Sequence, residues 1–108
     1  MDLRNISEAK EWFEVLQTSQ RSQTAMMTLA AGASTGRKAE AHKKSDQVLL
    51  MLKGELAGKV GSEKVSLKKG DVLLIPAGTP HRFTNKTRKP AVTFNVYAPP
   101  EYPAGTKG

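Results

Sequence analysis

The chain contains no cysteine, only two histidines, one tryptophan, two tyrosines and three phenylalanines in 108 residues. Without cysteine there are no disulfide staples, no thiol chemistry and no Cys-based zinc site, and nothing ties the chain to an oxidising compartment. So few aromatic residues leave little for the stacking platforms that hold single-stranded bases. No apolar run approaches the ~18 residues of a membrane-spanning helix, and Met1 to Phe13 holds no apolar core of signal-peptide length. A cytoplasmic, soluble protein with no membrane partner is the expectation. Gly-rich phosphate loops leading from a strand into a helix are also missing, and no serine sits in a nucleophile elbow.

What is abundant is positive charge. Seventeen Lys and Arg stand against ten Asp and Glu, a net +7, and residues 37–89 carry thirteen of the basic and five of the acidic residues, a balance of +8. Such a field can draw in a small anion, a nucleic acid or a membrane surface. Most of these lysines fall where strands and turns put them in solvent, so the plainer reading is a charged surface that guards strand edges. A role in nucleic-acid binding is the weaker alternative.

At this length the chain is one domain, large enough to bury roughly two thirds of the surface its unfolded form would expose. Ser7 suggests an N-cap for a short helix over 5–11. Beyond it the pattern is short strands: 12–16, 23–30, 47–52, 55–60, 64–67, 72–75, 81–85 and 91–97, with a brief one at 39–42. Turns rich in Gly, Ser, Pro or Lys separate them, which argues for an all-β sandwich or barrel. The division expected is an N-terminal segment with the first strand (1–22), a barrel core (23–97) and a tail (98–108) lying over the surface with its last residues disordered. Val48 to Leu52 is apolar on both faces. One face can fill a barrel, and the other requires cover from elsewhere in the fold or from a second copy in a homodimer.

The stretch Gly70 to Asn85, GDVLLIPAGTPHRFTN, specifies a buried strand, a rigid turn and a histidine together. Pro76 and Pro80 fix φ and withdraw ladder donors, Gly78 permits positive φ, and the returning strand places His81, Phe83 and Asn85 on one face by period-two alternation. Asn85 is expected to hydrogen-bond its own turn.

These residues resemble the cupins, whose second motif is commonly written G-x5-P-x-G-x2-H-x3-N. Gly70, Pro76, Gly78, His81 and Asn85 occupy all five fixed positions. The resemblance covers roughly residues 23–97 and implies a single jelly-roll β-barrel of antiparallel strands. The first motif, G-x5-H-x-H-x(3,4)-E-x6-G, fits in two registers. Counting back from Gly54 puts Gln47 at the usual Glu, His42 at the second His and Glu40 at the first, but leaves no upstream glycine. Counting forward from Gly36 puts His42 at the first His and Lys44 at the second, with only two residues before Gln47. The former keeps both downstream spacings.

In that register the resemblance implies a ligand set of Glu40, His42, Gln47 and His81, two imidazoles, a carboxylate and a weak amide, suited to Fe, Mn, Ni or Zn. In the other, the Lys44 ammonium would repel a cation and hold a carboxylate or phosphate. Leu49, Met51 and Phe83 are expected as pocket wall or core. Three functions follow: a metal-dependent oxygenase or isomerase acting on a small metabolite, a metal-free binding barrel for a small anion, and, least supported, a nucleic-acid-associated protein.

Overall fold

Eight antiparallel strands build the chain: β1 (Phe13–Thr18), β2 (Gln23–Leu29), β3 (Asp46–Lys53), β4 (Glu55–Val60), β5 (Glu63–Lys68), β6 (Val72–Ile75), β7 (His81–Thr84) and β8 (Ala91–Ala98). The structure is a computed structural model and describes every residue from Met1 to Gly108. A five-stranded sheet in the order β1-β2-β8-β3-β6 faces a three-stranded sheet in the order β5-β4-β7. The fold is all-β, as the strand rhythm suggests, and the antiparallel jelly roll that the resemblance implies. No helix is long and apolar enough to cross a membrane.

The larger sheet sorts its side chains by alternation. Register pairs Gln23 with Tyr97 and Tyr97 with Gln47, then Ala25 with Asn95 and Asn95 with Leu49, so these residues share the inner face. Between them, Met26, Phe94, Leu50 and Val72 form one row of the outer face, and Thr24, Val96, Val48 and Leu74 form the next. The core between the sheets includes Leu29, Leu49, Met51, Leu56, Ile75 and Phe83, all fully buried. On the smaller sheet Gly58 is required by close approach: a Cβ there would run into the Arg82 carbonyl oxygen and the Phe83 ring. Its outer face sets Lys59 opposite both Lys64 and Arg82, which places the positive charge on the side of the molecule away from the apolar rows.

Asn85, at the end of β7, is fully buried and saturated with hydrogen bonds. Its Nδ2 donates to the carbonyls of Leu29 (2.9 Å) and Lys89 (2.7 Å), while its Oδ1 accepts from the Thr87 backbone N–H (2.9 Å) and hydroxyl (2.7 Å). The last motif residue thus pins the β7–β8 loop to the end of β2.

Three local expectations need correction. The helix over 5–11 is a 3₁₀ turn of Ile6–Glu8, capped by Asn5 rather than Ser7. It ends because the Glu14 carboxylate accepts the amides of Lys10 and Glu11, which a continuing helix would have given to backbone carbonyls. The strand at 39–42 reduces to a single bridge between Glu40 and His81. The tail is ordered against the body: Gln23 donates to the Tyr102 carbonyl (2.7 Å) and accepts the amides of Glu101 and Tyr102, and Val15 donates to the Thr106 carbonyl (2.8 Å).

Candidate functional site

At one end of the barrel the inner faces part around a cavity of about 250 Å³. Its histidines reach it from two directions. His81 opens β7 immediately after the Pro76–Pro80 turn. That turn is closed by Thr79 N–H donating to the Pro76 carbonyl (3.1 Å) and held to the neighbouring loop by Gly78 N–H donating to the His42 carbonyl (2.7 Å). The Ala77 amide also donates to Asp46 Oδ1 (2.9 Å). Glu40 and His81 exchange backbone hydrogen bonds of 3.2 and 2.9 Å, so the loop carrying His42 is fastened directly to the strand carrying His81. The two imidazole centroids come within 5.0 Å, and His42 stands edge-on to Tyr97 at 5.2 Å.

The tautomers follow from the partners. His81 Nδ1 lies 3.0 Å from the Thr79 carbonyl oxygen, which can only accept, so Nδ1 carries the hydrogen and Nε2 keeps its lone pair. Burial pulls the His81 pKa below its ordinary value, and the neighbouring His42 adds to this. The hydrogen bond to Thr79 and the charge of Glu40 oppose it without cancelling it. His42 Nδ1 lies 3.2 Å from Glu101 Oε2 and donates to that carboxylate. Burial raises the pKa of the Tyr97 hydroxyl, with Tyr102 beside it, so this phenol stays protonated.

Gln47 completes the wall from β3. Its Nε2 donates to Asn95 Oδ1 (3.0 Å), while its Oε1 is buried with no hydrogen-bond partner, the one buried side-chain polar atom so placed.

Glu40, His42, Gln47, His81 and Phe83 all line this cavity. Lys44 does not: it is exposed on a separate shallow cleft beside Pro99 and Glu101. Leu49 and Met51 lie in the core and contribute no cavity surface. The register counted back from Gly54 is therefore the one whose residues meet, because the polar turn 43–45 carries Lys44 outward before β3 begins. Missing from the sequence reading were Tyr97, Tyr102 and Glu101, together with Asn95 behind Gln47. The signal for β8 was present in AVTFNVYA, where Thr93 and Asn95 alternate with Val92, Phe94 and Val96. Polar residues on the inner face of a strand mark an internal polar site.

As a metal centre the set falls short. Glu40, the carboxylate that would supply negative charge, is exposed, and no group of three or more His, Asp or Glu side chains stands close enough to hold an ion. Two imidazoles and one amide oxygen without an anionic ligand do not fit a resident divalent transition metal.

Residues 25–97 match the family model described as Cupin domain. The uncharacterized protein YrkC of Bacillus subtilis is 32% identical over 97 residues, which cover 84% of this chain and 51% of that protein. The chain thus spans about half the length of this curated relative. Among solved structures, BH2720 of Bacillus halodurans superposes with a TM-score of 0.87 at 27% identity, over 97% of this chain and 86% of that one. TT1209 of Thermus thermophilus gives 0.80 at 28% identity, over 92% and 98%.

Proposed function

The chain belongs to the cupin family, and from that membership we propose that it is a metal-free barrel that binds a small organic molecule in the cavity lined by His42, Gln47 and His81. The observation that carries this reading is the cavity itself, where the two imidazoles meet the rings of Phe83, Tyr97 and Tyr102. The cavity is partly open to solvent and lies close to the range of small-ligand sites, roughly 300 to 1,000 Å³.

Thermal-shift screening of small polar metabolites against protein purified without an affinity tag, with metal analysis of the same sample, tests the proposal. Expected are substoichiometric metal and a raised melting temperature with at least one compound class, an effect abolished by His81→Ala. Stoichiometric divalent metal lost in His81→Ala would favour the metal-dependent oxygenase or isomerase instead. A blank screen would count against binding altogether.

Self-association is the second part of the reading. The outer face of the five-stranded sheet carries the rows Met26–Phe94–Leu50–Val72 and Thr24–Val96–Val48–Leu74, all uncharged, with Val72 68% and Leu74 59% exposed. Four strands about 4.8 Å apart and ~14 Å of strand length make a face of roughly 260 Å², from which Val72 and Leu74 project into solvent. A second copy is the occupant the charge favours, because the basic row Lys64–Lys59–Arg82 lies on the opposite side of the barrel and two copies joined by their apolar faces keep those rows apart.

A further inference from the structure

We infer that the outer face of the three-stranded sheet is a second binding site, separate from the cavity, for a short chain of linked phosphoryl groups held by Lys59, Lys64, Arg82 and Lys86. The inference goes beyond the small-molecule reading of the cavity and does not depend on it. These four cations line a groove of about 530 Å³, together with the short side chains of Ala57, Ser66 and Thr84. Register sets Ala57 opposite Ser66 and Thr84 and, one row along, Lys59 opposite Lys64 and Arg82.

Edge protection does not account for this row. β4 is the central strand of its sheet, with β5 and β7 on its two sides, so Lys59 guards no edge. Like charges directly opposite one another on a sheet destabilise it. Here one cation faces two, no Asp or Glu lines the groove, and the ion pairs of the molecule all lie elsewhere, at Arg4 and His42. A row that lowers stability until an anion neutralises it is what selection for binding, rather than for folding, leaves on a surface.

Arg82 is partly buried and already positioned. Its Nε donates to the Gly36 carbonyl and its Nη1 lies 3.5 Å from Thr84 Oγ1, while no hydrogen bond takes Nη2. The Thr84 hydroxyl is fixed in turn by Ser34 Oγ at 2.7 Å. A guanidinium held along one edge offers the rest of its fork to a phosphate with little further loss of freedom.

The extent of the row sets the length of the anion. Strands stand about 4.8 Å apart, so Lys64, Lys59 and Arg82 span roughly 10 Å. The next row, Ser66–Ala57–Thr84, is neutral, and beyond it Glu55 faces Lys68 and cancels its charge. A field confined to one row suits two or three linked phosphoryl groups; even a single nucleic-acid-binding module buries about 600 Å² or more. No aromatic side chain lines the groove to stack a base. The phosphoryl chain itself, free or as the tail of a larger molecule, is what this face reads.

Calorimetry and thermal-shift titrations at low ionic strength in phosphate-free buffer test the inference, with inorganic triphosphate, orthophosphate, ATP and a short DNA duplex as probes. Triphosphate is expected to bind one per chain, about tenfold or more tighter than orthophosphate, and to raise the melting temperature. Lys59→Gln should weaken triphosphate about tenfold and yet raise the melting temperature of the free protein, because the central repulsion is gone; a lysine kept only for packing would not do this. Arg82→Lys keeps the charge but loses the fork, and should weaken binding about threefold or more. The double variant Lys43→Gln, Lys44→Gln removes two charges from a separate cleft and should leave the affinity within about twofold. ATP equal to triphosphate supports the free chain as ligand, and ATP clearly tighter supports a nucleotide tail. No triphosphate binding, equal affinity for orthophosphate, an unchanged affinity in Lys59→Gln or an equal loss in the double variant overturns the inference. So does tighter binding of the duplex than of triphosphate, which would make the face a nucleic-acid surface. The cavity reading stands or falls separately, on the metabolite screen.

Discussion

His42 meets Glu101 through Nδ1 and Oε2 at 3.2 Å, and this contact joins the cavity wall to the segment that follows β8. Both side chains are shielded enough for the acceptor to matter. Glu101→Ala is expected to weaken ligand binding about three- to tenfold and to lower stability by about 1 kcal/mol, read by calorimetry and urea unfolding. Glu101→Gln keeps an oxygen for the imidazole and should restore most of the affinity. Equal loss in the two variants would mean that charge, not orientation of His42, is what Glu101 provides.

Asn85 offers a sharper test, because every hydrogen-bonding site of its amide is used. Asn85→Asp preserves size while turning two donors into acceptors that face the Leu29 and Lys89 carbonyls in a fully buried position. The expected loss is about 3 kcal/mol or more at neutral pH, measured by urea unfolding. A loss below about 1 kcal/mol would mean the loop relaxes around the change.

His81 predicts the direction of a pH effect. Its folded pKa lies below the ordinary 6.5 because burial disfavours the imidazolium. Just below pH 6.5 the unfolded chain binds a proton that folded His81 declines. Stability should therefore fall as pH drops from 6.5 to the folded pKa, level off below it, and be fully present above 6.5. Subtracting the unfolding profile of His81→Gln isolates the effect, and identical slopes in the two proteins would refute it. Glu14 acts elsewhere: the Lys10 amide holds its carboxyl below 4.5, so its contribution is present above that value and lost in more acid solution.

For self-association, sedimentation velocity should show wild type as a dimer and Leu50→Lys as a monomer with an unchanged far-UV CD spectrum. Leu50 lies in the outer row between Phe94 and Val72, where an ammonium would be trapped in an apolar contact. A wild type that stays monomeric at high micromolar concentration would reject the second-copy reading.

Much of this molecule is legible without its fold. Strand positions can be read because Gly, Pro and Ser turns punctuate short alternating runs, and the Gly70–Asn85 spacing locates His81. Gln47 and His42 follow from counting back from Gly54. The same count turns Glu40 inward with His42, but its two backbone bonds to His81 leave the side chain exposed. Counting alone does not turn Lys44 outward, since the turn before β3 decides which way it faces. Glu101 and Tyr102 are invisible for another reason: they lie beyond the last strand, and what brings them to the cavity is the fully used Gln23 amide, 78 and 79 positions away. Local pattern carries no information about a contact of that range.

The hydrogen bonds that run from the Met27 carbonyl through Thr93 and Asn95 to Gln47 also separate two properties that most pockets leave entangled. Who may enter is decided by loops, which tolerate insertion and exchange. What is tolerated inside is decided by the pairing of β2, β8 and β3, which cannot slip by one residue without turning every side chain to the opposite face. Descendants of this chain could thus remodel the rim, and with it the size of the guest, while inheriting the inner wall unchanged.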